Sequence, residues 1–205
     1  MLEPVVFAVD DDASLLRSVT RLLRRHGFRV QGFESAAPFL DAIQAGTPGC
    51  VLLDLSLPEI NGLELLDRLL ATGHRQPVIF LTGQGSIQAS VRALKAGAMD
   101  FLEKPFEADA LVAVVQRAIE KDREARARED ENGLVAKRLA SLTPRESEVF
   151  RHVIAGHLNK QIAARLGTAE KTIKVHRARV MHKMAVRSVA ELTRLADFAG
   201  IQPAP

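Results

Sequence analysis

The sequence has little of what marks a disulfide-bonded or membrane-spanning protein. Its only cysteine is Cys50, so no internal disulfide can form, and the apolar run CVLL around it favours a buried side chain over a redox role. No uninterrupted apolar stretch approaches the roughly 18 residues of a membrane span, and the chain does not open on a basic segment followed by a long apolar one. We therefore expect a cytoplasmic protein with no membrane partner.

Two kinds of cofactor site also lack support. The six histidines show no ligand-like pairing with cysteine, which argues against zinc. The stretch TGQGSIQA (residues 82–89) has Gln88 where the third glycine of a dinucleotide-binding G-x-G-x-x-G motif would stand. The acidic turn after the first apolar run would in addition repel a pyrophosphate. We therefore expect neither a zinc site nor a dinucleotide site.

Charge is divided unevenly along the 205 residues. Residues 1–121 hold 12 Lys and Arg against 15 Asp and Glu, a net charge of −3, whereas residues 122–140 hold 5 against 5. Residues 141–205 hold 11 against 5, a net charge of +6, which completes the +3 of the whole chain. This division predicts two domains with different partners, the second of them nucleic acid.

The first 121 residues alternate short apolar runs with amphipathic segments. The apolar runs are VVFAV, FRVQGF, CVLLD, PVIFLT and DFLE, and the amphipathic segments cover residues 13–26, 36–45, 62–71, 87–96 and 107–121. Apolar strands that alternate with helices are typical of a parallel sheet covered on both faces. The pattern predicts an α/β fold with a doubly wound five-stranded parallel sheet, in which ligands bind beyond the carboxyl ends of the strands.

Polar residues stand at those carboxyl ends. The acidic triplet 10–12 follows the first strand, Asp54 ends the third, Thr82 ends the fourth, and Lys104 follows the fifth. Taken singly, an Asp after a strand is usually a helix cap, and Lys104-Pro105 is usually a turn. Taken together, these residues predict one site at one edge of the sheet.

This set of side chains favours phosphoryl chemistry on a carboxylate. Mg²⁺ takes oxygen ligands and needs only one or two carboxylates from the protein, and Asp10 and Asp11 form a pair suited to holding it. Asp54 is the lone acid at the end of a strand expected to be central, so it is the predicted nucleophile toward phosphorus. Lys104 would supply an ammonium to the phosphoryl group and Thr82 a hydroxyl.

Residues 5–121 resemble the receiver domain of bacterial two-component response regulators, which has a flavodoxin-like fold. The resemblance rests on DDD, LLDLSLPEINGLEL, FLTGQGS and DFLEKPF. It implies that Asp54 is the phosphoacceptor and that the cofactor is Mg²⁺, or Mn²⁺ in its place. The metal ligands it implies are Asp11 directly, Asp10 partly through water, Asp54, and the backbone carbonyl of Ser56.

The same resemblance assigns the remaining residues of the site. Thr82 is the switch hydroxyl, Lys104 the phosphoryl-binding lysine, and Phe101 the aromatic rotor. Asp12 is a helix-capping neighbour, and the Lys104-Pro105 bond is cis in this family. A receiver domain is not an enzyme beyond accepting its own phosphoryl group and slowly hydrolysing it.

Residues 122–140, DREARAREDENGLVAKRLA, are rich in charges of both signs. They predict a charged helical linker with a break at Asn132-Gly133. The domains are therefore expected over residues 1–121 and 141–205, on either side of this linker.

Residues 141–205 predict a second, smaller, all-α domain with helices over 142–156, 159–167, 168–184 and 188–199. Thr143-Pro144-x-Glu146 and Thr168-x-x-Lys171 are typical helix starts capped by threonine, and Gly167 can end the helix before the second of them. A helix of about nine residues, a tight turn and a longer basic helix indicate a helix-turn-helix.

The stretch LTPRESEVFRHVIAGHLNKQIAARLGTAEKTIKVHRARVMHKMAV resembles the LuxR-type DNA-binding domain, and with the receiver it resembles the FixJ/NarL class. The third helix is the predicted recognition helix, with Lys174 on base edges or phosphate and Val175 on a thymine methyl. Many LuxR-type domains carry Asn where Arg179 stands. The predicted DNA contacts are Lys160, Lys171, Thr172, Lys174, Val175, Arg177, Ala178 and Arg179.

The resemblance implies a phosphorylation-gated transcription factor. A sensor histidine kinase would phosphorylate Asp54, and the switch would favour a homodimer that binds promoter DNA. Family habit favours activation, with RNA polymerase as a further candidate partner. The candidate dimer contacts, on the fourth helix and fifth strand, are Val91, Leu94, Lys95 and Asp100.

Two other functions compete with this one. A phosphatase or phosphotransfer enzyme could use the same acid, Mg²⁺ and lysine, and turnover of a small phosphoester would support it. A protein-interaction module could use its helical tail on a protein instead of DNA. The salt dependence of binding distinguishes DNA from a protein as the partner of this tail, because phosphate-driven DNA binding weakens steeply as salt rises.

Overall fold

Five apolar segments of the first part of the chain form the strands of one parallel sheet. In the computed structural model, which describes residues 3–83 and 87–205 with the backbone alone over 87–90, the strand order is β2-β1-β3-β4-β5. The strands are β1 (Val5–Val9), β2 (Arg29–Phe33), β3 (Gly49–Asp54), β4 (Val78–Thr82) and β5 (Asp100–Glu103). The predicted doubly wound five-stranded parallel sheet is confirmed. Residues 84–86 of the TGQGSIQA stretch lie outside the described residues.

Helices cover both faces of this sheet. They are α1 (Ala13–Arg25), α2 (Ala36–Ala42), α3 (Gly62–Ala71), α4 (Ile87–Lys95) and the long α5 (Ala108–Ala140). Because side chains alternate along a strand, Phe7 and Leu53 lie in the core with α2 and α3, whereas Cys50 and Leu52 lie in the core with α1 and α5. Burial raises the pKa of the Cys50 thiol to about 12, as expected for an inert core side chain.

The second part of the chain is helical. Its helices are α6 (Pro144–Ile154), α7 (Asn159–Arg165), α8 (Glu170–Lys183) and α9 (Val189–Phe198). Their core includes Val149, Phe150, Ile173, Val180 and Leu192, all 2% exposed or less. The predicted small all-α domain is therefore confirmed, and the inward packing of Ile173 and Val180 holds α8 against its neighbours.

Local sequence signals explain where most of these helices begin. Thr143 and Glu146 form the predicted capping box, in which each side chain accepts a hydrogen bond from the backbone N–H of the other residue. Gly167, at φ +61°, follows α7 as expected. The cap predicted at Thr168 is wrong: α8 begins one residue later, after Ala169, whose side chain has no oxygen to accept a capping bond.

The predicted break at Asn132-Gly133 is also absent, because α5 continues through both residues to Ala140. A glycine inside a helix costs only about 1 kcal/mol relative to alanine, and a helix of 33 residues tolerates that. The chain divides into two compact units, Met1–Arg126 and Ala127–Pro205. The domain limits at 121 and 141 stay predictions. No helix within the described ranges is both long and apolar enough to cross a membrane.

Candidate functional site

Residues from three strand ends meet at one edge of the sheet. Asp10 follows β1, Asp54 ends β3, and Lys104 follows β5. The Lys104 ammonium donates hydrogen bonds to Asp10 Oδ2 at 2.6 Å and to Asp54 Oδ1 at 2.7 Å. Both carboxylates are buried, with 2% and 5% of the residue exposed. The structure thus brings together three of the predicted site residues, although Lys104 lies 94 positions after Asp10 and 50 positions after Asp54 in the sequence.

The second oxygen of each carboxylate is held by the local backbone. Asp10 Oδ1 accepts a hydrogen bond from the N–H of Asp12 at 3.0 Å, and Asp54 Oδ2 accepts one from the N–H of Ser56 at 2.7 Å. In each case the carboxylate accepts a hydrogen bond from the backbone two residues further on, which is the pattern of an Asx-turn. They fix the direction in which each carboxylate faces.

Two buried carboxylates share one ammonium, so the group of three carries a net charge of −1 when all are ionised. Burial raises the pKa of Asp10 and outweighs the lowering effect of its hydrogen bonds from Lys104 and Asp12. For Lys104, burial lowers the pKa, but its hydrogen bonds to Asp10 and Asp54 outweigh this and leave the pKa raised. The uncompensated negative charge is the electrostatic condition for binding a cation.

Asp11 and Asp12 lie at the rim of this group. Asp12 is exposed and caps α1, accepting hydrogen bonds from the N–H of Ser14 at 2.8 Å and of Leu15 at 3.1 Å. These bonds lower the pKa of Asp12, as is usual for a cap. The expectation that Asp12 is a capping neighbour is confirmed. Asp11 is exposed beside Asp10.

The donor set can be tested against the predicted cation. Among residues 3–83 and 87–205, no three His, Cys, Asp or Glu side chains converge closely enough to hold a metal by themselves. Mg²⁺ does not require three, because it commonly takes one or two carboxylates and keeps several waters. Asp10 and Asp54, oxygen donors with excess negative charge, therefore fit Mg²⁺ or Mn²⁺.

Thr82 and Phe101 lie near this edge without contacting the carboxylates through hydrogen bonds. The Thr82 hydroxyl is buried and donates to the carbonyl of Gly83 at 2.7 Å. The backbone N–H of Lys104 donates to the carbonyl of Thr82 at 2.7 Å, so the end of β4 is hydrogen-bonded to the residue that follows β5. Phe101 lies on β5 with 37% of its surface exposed. The Lys104-Pro105 bond is cis, as the resemblance implied.

The predicted dimer contacts lie on the surface of α4 and β5. Val91 and Leu94 are 43% and 45% exposed, and Lys95 is exposed beside them. Asp100 is half-buried and forms a salt bridge of 2.8 Å with Arg117. Sequence reasoning missed Arg117, since its link to β5 depends on how α5 packs.

The predicted recognition helix α8 presents a mixed basic and apolar surface. Lys171, Thr172, Lys174, Ala178 and Arg179 are exposed on it, and so is Lys160 on α7. Val175 is 45% exposed, and its contact with a thymine methyl stays a prediction. Arg177 is half-buried and donates to Asn159 Oδ1 at 3.1 Å, a bond between α8 and α7.

An ion pair that sequence reasoning missed joins α6 to α8, with its carboxylate buried and its ammonium partly exposed. Lys183 donates to Glu146 Oε2 at 2.6 Å and to the carbonyl of Ser141 at 2.8 Å. The hydrogen bond from Lys183, followed by that from the Thr143 N–H, lowers the pKa of Glu146 to about 2. The capping box marked Glu146, but nothing in the sequence marked a lysine 37 residues away.

Two family models match this chain, each over one of its parts. The response regulator receiver domain matches residues 6–116, and the bacterial regulatory proteins of the luxR family match residues 140–196. The transcriptional regulatory protein FixJ of Bradyrhizobium diazoefficiens is 43% identical over 196 residues, which are 96% of this chain and 96% of that protein.

Solved structures agree with these matches. The response regulator StyR superposes with a TM-score of 0.89 at 41% identity, covering 95% of this chain and 98% of that one. Full-length FixJ from B. japonicum superposes with a TM-score of 0.61 at 42% identity and covers 98% of both chains. Both resemblances seen in the sequence are therefore confirmed over nearly the whole chain.

Proposed function

We propose that this chain, which belongs to the bacterial response regulators that join a receiver domain to a luxR-family DNA-binding domain, is switched by a phosphoryl group on Asp54. Its architecture implies a histidine kinase as phosphoryl donor and DNA as target. The observation that carries the proposal is the Lys104 ammonium, which bridges Asp10 and Asp54 at 2.6 and 2.7 Å.

Asp54 would act as the nucleophile. A carboxylate oxygen of Asp54 would form the new P–O bond while the P–N bond of a phosphorylated histidine breaks. The hydrogen bond from the Ser56 N–H orients the carboxylate, and Lys104 lies beside its other oxygen, where it can turn to the phosphoryl oxygens. A bound Mg²⁺ or Mn²⁺, held by Asp10, Asp11, Asp54 and the Ser56 carbonyl, would neutralise the charge of the phosphoryl group.

The switch would run from Thr82 to the surface of α4 and β5. The Thr82 hydroxyl, which donates to Gly83, would turn to a phosphoryl oxygen, and Phe101 would repack into the space it leaves. The surface with Val91 and Leu94 would then favour a homodimer. The Asp100–Arg117 pair can open for this, because exposed ion pairs contribute only about 0.2–1 kcal/mol.

A dimer would align two basic domains on neighbouring half-sites of promoter DNA. The net charge of +6 over residues 141–205 supports phosphate-driven binding, and the exposed stripe of α8 supports base contact in the major groove. From the family resemblance, we also propose that the protein activates transcription, with RNA polymerase as a partner. We infer no further enzymatic activity beyond acceptance and slow hydrolysis of its own phosphoryl group.

The test is phosphorylation by a small acyl-phosphate donor, with and without Mg²⁺, followed by mass spectrometry of the intact protein. We expect a Mg²⁺-dependent gain of one phosphoryl group in the wild type and in Asp67→Asn, a matched exposed acid of α3, but none in Asp54→Asn. A gain that persists in Asp54→Asn would overturn the assignment. Sedimentation and duplex binding of the same samples then test the gating: dimerisation and DNA affinity should rise only where Asp54 is modified.

A further inference from the structure

Two histidine side chains meet at the end of α6, away from the receiver site. His152 lies in the last turn of α6 and His157 in the turn that follows, and both are half-buried. Their Nδ1 atoms are 3.1 Å apart, with ring centroids 5.2 Å apart and the ring planes at 47°. Neither residue takes part in the function proposed above.

The backbone sets this pairing. α6 ends at Ile154 with Ala155 as its C-cap, and Gly156 follows in the left-handed region at φ +79°. The N–H of Gly156 donates to the carbonyl of Val153 at 3.0 Å, and the N–H of His157 donates to that of His152 at 3.1 Å. These two bonds form a Schellman motif, which places the first residue after the glycine over the residue five positions before it. Apolar side chains usually fill these two positions, but here both are imidazoles.

The separation of the two nitrogens suits a shared metal ion. Zn–N bonds of about 2.0–2.1 Å place two ligand nitrogens about 3.3 Å apart at a tetrahedral angle and about 2.9 Å apart at a right angle. The observed 3.1 Å lies between these values. We propose that His152 and His157 form a binding site for Zn²⁺ or a similar imidazole-preferring divalent cation, which they take through their two Nδ1 atoms.

Metal binding to the two rings needs no added acid or base. In the metal-free pair, one ring donates its Nδ1–H to the Nδ1 of the other. On binding, that hydrogen bond breaks, the donor ring loses its Nδ1 proton to water and takes one up at Nε2, and two waters leave the cation as two Nδ1–metal bonds form. Both rings end neutral with Nε2–H, and no net proton is released.

No three ligand-type side chains converge in the described part of the chain, so water would complete the coordination, and binding should be weaker than at a four-ligand structural site.

A cation at this position would fasten the turn between α6 and α7, the helix that precedes the recognition helix. A ligand that binds only the folded state stabilises that state by mass action. Zn²⁺ should therefore raise the melting temperature of the second unit in proportion to the logarithm of its concentration. The receiver site should not compete, because millimolar Mg²⁺ can occupy its carboxylates while imidazoles prefer the softer ion.

The test is a titration of the full chain with Zn²⁺ in excess Mg²⁺, followed by calorimetry and by nitrogen-15 spectra of the histidine rings. We expect His152→Gln and His157→Gln each to lose one equivalent of bound Zn²⁺, while His26→Gln, at an exposed histidine of the first unit, keeps it. Full stoichiometry in both site variants would overturn the proposal.

The wild-type ring spectra decide the question even if a variant fails to fold. At one equivalent of Zn²⁺, the Nδ1 signals of His152 and His157 should shift together to metal-bound positions, with the protons on Nε2. Signals that keep the pattern of a hydrogen-bonded pair, while other histidines shift, would show that the cation binds elsewhere and would overturn the proposal.

Discussion

Asp122 forms a buried clasp between α5 and the loop before β3. Its carboxylate, with the residue 4% exposed, accepts hydrogen bonds from the Gly49 N–H at 2.9 Å and from Arg126 Nε at 2.7 Å. The Arg126 guanidinium also donates to the carbonyls of Gly46 at 2.8 Å and Thr47 at 2.7 Å. We predict that Asp122→Asn markedly destabilises the first unit.

The magnitude follows from these bonds. Both donors bind the same oxygen, Asp122 Oδ2, which the amide oxygen of asparagine can replace, so the loss comes from removing the negative charge opposite Arg126 and weakening both bonds. A hydrogen bond to a charged group contributes about 1.5–3 kcal/mol, and breaking a buried pair costs about 3–5 kcal/mol. Arg126 keeps its two carbonyl partners, so the lower part of this range applies, about 2–3 kcal/mol.

Amide hydrogen exchange of the full chain measures this loss directly. The sequence has neither Trp nor Tyr, so intrinsic fluorescence cannot follow unfolding, and two units make a single melting transition hard to interpret. A loss of about 2–3 kcal/mol should lower the protection of the β3 core amides about 30- to 150-fold. The amides of α6 in the second unit serve as an internal reference and should not change.

The matched control is Glu124→Gln, the same chemical change at an exposed acid two positions along α5. It should alter stability by less than about 0.5 kcal/mol. A double-mutant cycle with Arg126→Met should show that the two losses are not additive. Equal protection of β3 in Asp122→Asn and Glu124→Gln would refute the view that the clasp stabilises this unit.

The remaining predictions concern the second unit. The lowered pKa of Glu146 means that its ion pair with Lys183 stabilises the folded state above the unfolded pKa of about 4.5. This stabilisation is lost as the pH falls toward 2 and Glu146 becomes protonated. Amide hydrogen exchange of α6 in Glu146→Gln should therefore show a smaller loss of protection between pH 4.5 and 2 than in the wild type, and an equal loss would contradict this assignment. Lys160→Gln should weaken binding to all duplexes alike and reduce the slope of log affinity against log salt by about 0.9, as measured by anisotropy of labelled DNA; an unchanged slope would remove Lys160 from the phosphate contacts.

The sequence was most informative where function depends on strand ends. In a parallel sheet, every strand delivers its last residue to the same edge, so Asp10, Asp54 and Lys104 could be placed together from their positions alone. Alternation of apolar segments likewise predicted the five strands and their helices. The capping box at Thr143 was visible for the same reason, since both of its partners lie within one turn.

Contacts between residues distant in sequence could not be predicted in this way. Asp122 and Arg126 lie in a stretch of mixed charges, and nothing local separates the acid that is buried against Gly49 from its exposed neighbours. Their role depends on the path of the loop before β3. The His152–His157 pair was hidden because the sequence marks a turn at Gly156 without showing which side chains the turn brings together.

Charge balance separates the roles of Lys104 and of the cation in the proposed phosphorylation. Asp10, Asp54 and Lys104 sum to −1 before the reaction. Phosphorylation removes the carboxylate charge of Asp54 and adds a group of about −2, so the sum becomes about −2. The single ammonium is already counted and cannot cancel this change, whereas a divalent cation can. In the proposed function, Lys104, which donates to both carboxylates, would instead orient the phosphoryl oxygens, and the cation would compensate for their charge.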